Sequence, residues 1–126
     1  MRSAPGRKER GRRGEALAAA FLKRQGFTIL RRRYRTRYGE VDLIAREGPV
    51  LCFIEVKTRS HLEFGLPLEA VTRSKRKHLA LCAQVFVARK KLEGVPLRFD
   101  VVSVLEAEGG TELELVRAAF DNPLGF

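Results

Sequence analysis

The chain has 126 residues, enough for one domain with a core of its own and no need of a disulfide or structural metal to fold. Its 25 Lys and Arg against 15 Asp and Glu leave a formal charge of +10, which opposes compaction and points to a polyanionic partner. No apolar run approaches the roughly 20 residues of a spanning helix and no apolar stretch follows the basic N-terminus, so neither a membrane span nor a signal peptide is visible and a cytoplasmic protein is expected.

Residues 1–13 are basic, carry Pro5, Gly6 and Gly11, and have almost no apolar side chains. They are expected to form a disordered basic tail, with the folded domain over 14–126. A first helix is predicted from Glu15 to Gln25. Gly14 would be its N-cap, Gly26 its C-terminal glycine, and Leu17, Ala20 and Phe21 its core face. A strand follows over Phe27 to Arg33, leading into the arginine run Arg31, Arg32, Arg33, Arg35 and Arg37. About half of all the cations precede Tyr38. Clustered arginines gain affinity for phosphates by releasing counterions, so nucleic acid is the expected partner. Tyr34 and Tyr38, set among these arginines, suit either base stacking or packing on a sheet.

Next comes a hairpin, Glu40 to Arg46 and Val50 to Thr58, around the turn signal Glu47-Gly48-Pro49. A second helix is expected over Ser74 to Lys90, capped by Thr72 or Ser74, with Leu79, Cys82, Val85 and Phe86 inward. Strands at Leu97 to Leu105 and Thr111 to Val116 complete the order α-β-β-β-α-β-β. That order predicts an α/β domain with one mixed sheet flanked by helices. Cys52 and Cys82 sit in apolar runs and lack any zinc-ligand spacing, so both are expected to be buried thiols.

The chemistry lies in the hairpin. Side chains alternate along a strand, so Leu51, Phe53, Glu55 and Lys57 share one face, as do Asp42, Ile44 and Arg46. Val41, Leu43 and Ala45 form the apolar opposite face of their strand. Aligning like with like requires an even-numbered loop, with Arg46 opposite Leu51, Asp42 opposite Glu55 and Glu40 opposite Lys57. Opposed carboxylates are destabilising in a sheet. A hard divalent cation, Mg²⁺ or Mn²⁺, removes that penalty, and Lys57 places a positive charge beside it. An exposed strand face with Lys57 paired to Glu40 is the plainer alternative.

The second helix begins with Arg73, Lys75, Arg76 and Lys77, cations that oppose the helix dipole unless a phosphate binds there. Arg59, just past Lys57, joins them as an expected nucleic-acid contact. The loop from Ser60 to Val71, with His61, suits a substrate clamp, and Asp100 within an apolar strand suits a structural hydrogen-bonding group.

Gly39-Glu40-Val41-Asp42-Leu43-Ile44-Ala45 and Phe53-Ile54-Glu55-Val56-Lys57-Thr58-Arg59 resemble the YraN-like family of bacterial proteins. Gly14-Glu15, Ala70-Val71-Thr72-Arg73-Ser74-Lys75 and Arg98-Phe99-Asp100-Val101-Val102 extend the likeness over nearly everything after the tail. That family in turn resembles the PD-(D/E)xK nucleases, especially the archaeal Holliday-junction resolvases. The resemblance implies a restriction-endonuclease-like fold, with Asp42, Glu55 and Lys57 as the catalytic set. It also implies Glu15 as a further acidic, metal-binding member beside Asp42 and Glu55. Val41 stands where the nuclease motif has proline. The expected activity is metal-dependent hydrolysis of DNA, branched or linear, by a monomer or homodimer. The alternative is a nucleic-acid-binding module that keeps the fold without turnover. Glu15 on its own also reads as an acid favourable to the helix dipole.

Overall fold

The computed structural model describes residues 7–60 and 71–126, with side chains from residue 11 in the first stretch. Residues 1–6 and the 61–70 part of the expected clamp, His61 included, lie outside the described residues. The elements are α1 (Arg7–Arg24), β1 (Thr28–Thr36), β2 (Gly39–Glu47), β3 (Val50–Ser60), α2 (Arg73–Lys90), β4 (Leu97–Ala107) and β5 (Gly110–Phe120). The five strands form one sheet in sequence order. β1, β2 and β3 are antiparallel, α2 carries the chain across so that β4 lies parallel to β3, and β5 returns antiparallel. This is the expected mixed sheet in the expected order.

The helices cover opposite faces. Leu51 and Phe53 of β3 pack with Leu79, Ala83 and Phe86 of α2. Cys52 and Ile54, the alternate residues of β3, pack with Ala18, Ala19 and Leu22 of α1. The sheet is therefore apolar on both sides at its centre, and both cysteines are buried and free. Tyr34 belongs to the α2-side core, edge-on to Phe86 with ring centroids 5.3 Å apart. Its hydroxyl accepts a hydrogen bond from Arg89, so of the two roles open to it, packing is the one observed.

Several boundaries differ from expectation. α1 begins at Arg7, eight residues before the expected start at Glu15. Arg and Lys are good helix formers, and a glycine such as Gly11 costs a helix interior only about 1 kcal/mol. An ion pair from Arg13 to Glu106 of β4 ties this extension to the sheet. Gly14 is consequently no cap. It lies inside α1 where the helix meets β3, and a Cβ there would fall 2.1 Å from Thr58 Oγ1. Gly14, Ala18 and Leu22 share one stripe, and the small residues let the helix approach the sheet. That approach fixes the rotation: Ala20 is exposed and Ala18 and Ala19 are buried, where Ala20 had been expected inward. The C-terminus behaves as expected, with Gly26 at φ +97 and bonds Gly26 N–H to Lys23 O and Phe27 N–H to Leu22 O closing the helix.

α2 is capped by Thr72, whose side chain accepts from Lys75 N–H. Its Val85 is only half-buried. β1, β4 and β5 run a few residues past their expected ends, continuing as paired ladders with a bulge in each hairpin. Among the described residues no helix is long and apolar enough to cross a membrane.

Candidate metal centre

The β2–β3 hairpin closes through the two residues Gly48 and Pro49, and its register has Arg46 opposite Leu51 and Leu43 opposite Ile54, as the even loop requires. The ladder stops there. Asp42 and Glu55, next in register, are not a ladder pair, and neither are Glu40 and Lys57. Asp42 instead turns its carboxylate to Val56, accepting the backbone N–H at 2.8 Å. This satisfies a strand donor that the parting of two acidic strands would leave alone. The strict alternation of β2 also fails at this point. Val41 packs in the α2-side core, whereas Leu43 and Ala45 pack on the α1 side.

The splayed end gathers the predicted residues in two groups joined by Asp42. In the first, Glu15, Glu40 and Asp42 each offer a carboxylate oxygen, all within 4.8 Å of one another. Glu15 comes from α1, while Glu40 and Asp42 are alternate residues of β2. Glu15 is thus brought to the hairpin, far from it though it is in sequence. Two arginines of β1 close the group: Arg33 Nε lies 2.6 Å from Glu15 and Arg35 Nε 3.1 Å from Glu40. Arg33 adopts φ +53, a left-handed backbone inside a strand, which costs a non-glycine residue about 1–2 kcal/mol. The group opens into a cleft of about 250 Å³ lined by Gly11, Arg12, Glu15, Arg33, Arg35 and Glu40.

The second group is Glu55, Lys57 and Lys75. Glu55 is 4% exposed. Its Oε1 receives Lys75 in an ion pair and Lys57 at 3.8 Å. Burial pushes Lys57 below the usual lysine range, and the neighbouring Lys75 adds to that. Burial acts on Lys75 in the same direction but is outweighed by Glu55, so Lys75 is raised. Asp42 feels both groups. Burial first, then the charge of Glu55, and after these the charge of Glu15, push its carboxyl up to about 8, against the opposing bond from Val56. A carboxyl so loaded with neighbouring negative charge, among oxygen donors only, fits a hard divalent cation.

Two contacts at the site were not legible in the sequence. Glu40 was matched to Lys57 by register, yet it pairs with Arg35 and joins Glu15 and Asp42; its i, i+2 spacing from Asp42 was the available signal. Lys75, an expected phosphate contact, also forms an ion pair with Glu55. Of the other expected nucleic-acid contacts, Arg31, Arg32, Arg73 and Lys77 are exposed. Arg37 stacks on Tyr38 and donates to its hydroxyl at 2.6 Å. Arg76 donates to Val71 O and lies over Phe120. Arg59 is half-buried at the end of β3.

Residues 14–104 match the family described as "Uncharacterised protein family UPF0102". The chain is 49% identical to a UPF0102 protein of Caldicellulosiruptor saccharolyticus over 98 residues, covering 78% of this chain and 83% of the relative. It is 43% identical to one of Geotalea daltonii over 112 residues, 88% of each. A third, from Desulforapulum autotrophicum, is 46% identical over 110 residues, 87% of this chain and 91% of the other. The matched segment contains Glu15, Glu40, Asp42, Glu55, Lys57 and Lys75.

Proposed function

This chain belongs to the UPF0102 family, and we propose that it is a Mg²⁺- or Mn²⁺-dependent nuclease that hydrolyses phosphodiester bonds in DNA. One observation carries the reading: carboxylates from α1 and β2 converge within 4.8 Å around Asp42, whose carboxyl is pushed up to about 8. The raised carboxyl of Asp42 is a cost to stability that a bound cation offsets, and nucleic-acid binding alone does not require it. Glu15, Glu40 and Asp42 would hold the cation, together with Glu55, the hydrogen-bonding neighbour of Asp42. When bound, the cation supplies Lewis-acid polarisation of a phosphoryl oxygen and a more acidic water.

The chain's own residues supply the rest. Lys57, at the buried side of the site, offsets negative charge developing on the phosphate. Exposed Arg31, Arg32, Arg73 and Lys77 hold the backbone without choosing a sequence. The likeness of Asp42 and Glu55-Val56-Lys57 to the PD-(D/E)xK pattern supports the same chemistry, and the net charge of +10 supports a polyanionic substrate.

The test is cleavage of end-labelled linear duplex and four-way-junction DNA in Mg²⁺ and Mn²⁺. Wild type is expected to cut at least one of them, and Lys57→Ala to lose about 100-fold or more of the rate while still binding. Binding by wild type that weakens steeply with salt, with both substrates left intact in either metal, would favour the non-catalytic module instead.

A further inference from the structure

Lys75 stands in the first turn of α2, a segment with no acidic residue of its own. Its nearest partner is Glu55, on a different element and almost fully buried. Lys57 approaches the same oxygen. One carboxylate oxygen therefore has two ammonium groups, and only one is needed to neutralise it. The two lysines are not equivalent. Lys57 extends from the same strand as Glu55, two residues on, and its side chain is 28% exposed. That of Lys75 is 36% exposed and borders a small cleft of about 160 Å³ with Tyr38, Glu40 and His78. Exposed Arg73 and Lys77 flank it on the same helical turn. Lys75 is thus the ammonium with a way out to solvent, on the side where the helix N-terminus already favours an anion.

We propose that Lys75 is a phosphate contact held in reserve by Glu55: it neutralises Glu55 in the metal-free protein and is released to a phosphodiester oxygen when a divalent cation takes over that carboxylate. This rests on the metal-site reading above. Removing Lys75 does not strip Glu55 of its partner, since Lys57 remains. Metal and DNA binding become coupled through one side chain, and such coupling is reciprocal.

The experiment measures Ca²⁺ binding by calorimetry and the affinity for a short fluorescent DNA duplex with and without Ca²⁺. It uses wild type, Lys75→Ala, Lys75→Arg and Lys77→Ala, with unfolding curves to confirm each is folded. In wild type, Ca²⁺ should tighten DNA binding by about tenfold, the worth of one charge-assisted hydrogen bond. In Lys75→Ala that increment should vanish. Its Ca²⁺ affinity should rise by about tenfold, because the cation no longer has to displace an ammonium group from Glu55. Lys75→Arg should keep most of the increment. Lys77→Ala should weaken DNA binding equally with and without Ca²⁺. A Lys75→Ala protein that binds Ca²⁺ as wild type does and keeps the full increment overturns the role of Lys75 but leaves the metal site standing. No Ca²⁺, Mg²⁺ or Mn²⁺ binding by wild type overturns both.

Discussion

Metal-free Asp42→Asn should be more stable than wild type at pH 8, by about 2–4 kcal/mol, and nearly equal to it at pH 4. The sign follows from the raised carboxyl. Asp42 is pushed from 3.8 up to about 8 by burial and by Glu55, so between those values the native protein holds a proton that the unfolded chain has lost. Stability therefore falls as pH rises through that window. Each unit is worth about 1.4 kcal/mol; the expected gain is below the full shift because residual solvent access and the nearby lysines screen the charge. Asparagine keeps an oxygen for the Val56 N–H, so the substitution removes the charge and little else. Urea midpoints at pH 4, 6 and 8 in chelator check it. Mn²⁺ at 1,000 times its Kd should reverse the order, since that adds about 4.1 kcal/mol to wild type alone. A stability difference that does not change between pH 4 and pH 8 contradicts the description of Asp42.

The second large effect belongs to the other end of the sheet. Asp100 is fully buried in β4. It accepts from Arg98 Nε at 2.8 Å, from Arg98 Nη2 at 2.9 Å and from Ala118 N–H at 2.9 Å, where β5 bulges with φ +50. Arg98 continues to Glu47, which Arg117 grips with two further bonds. These guanidiniums, Arg117 first, hold the Glu47 carboxyl down at about 2. The network ties the turn end of the β2–β3 hairpin to β4 and β5. Asp100→Ala leaves a half-buried guanidinium and a backbone donor without their acceptor, and should cost about 3–5 kcal/mol. Asp100→Asn, which can still accept from Ala118, should cost less. Metal affinity should not change in either variant, because Glu47 and Asp42 stand towards opposite ends of β2. A loss under about 1 kcal/mol in chemical denaturation would mean the network is dispensable.

How far the sequence could be read follows from which interactions are local. Period-two alternation in β3 placed Leu51 and Phe53 on one face and Cys52 and Ile54 on the other, and the two faces are the two cores. The even loop set the hairpin register through Leu43 and Ile54. Asp100 was legible because a lone acid in an apolar strand must be bonded. The rotation of α1 was not legible, since an alanine-rich helix offers several similar faces and the close contact of Gly14 with Thr58 decides among them. The start of α1 was hidden because its basic first turns look like a solvated tail until Glu106 is brought beside Arg13. The pairings of Glu40 with Arg35 and of Lys75 with Glu55 were hidden for one shared reason. Register and helix-dipole arguments assume that strands stay paired and helix ends face solvent, and at Asp42 the strands part and α2 reaches in. Glu15 could be placed beside the hairpin only through family resemblance; its oxygen within 4.8 Å of those of Glu40 and Asp42 is a tertiary fact.

The central claim is that Glu15, Glu40 and Asp42 form a site for a divalent cation. Calorimetric titration of Mn²⁺ and Mg²⁺ into wild type, Asp42→Ala, Glu15→Gln and Glu40→Gln addresses it without any assumption about substrate. Wild type should bind, Asp42→Ala should give no binding heat, and the two glutamine variants should bind roughly tenfold or more weakly while remaining folded. Wild type that takes up neither metal, or an Asp42→Ala protein that binds as wild type does, would contradict it.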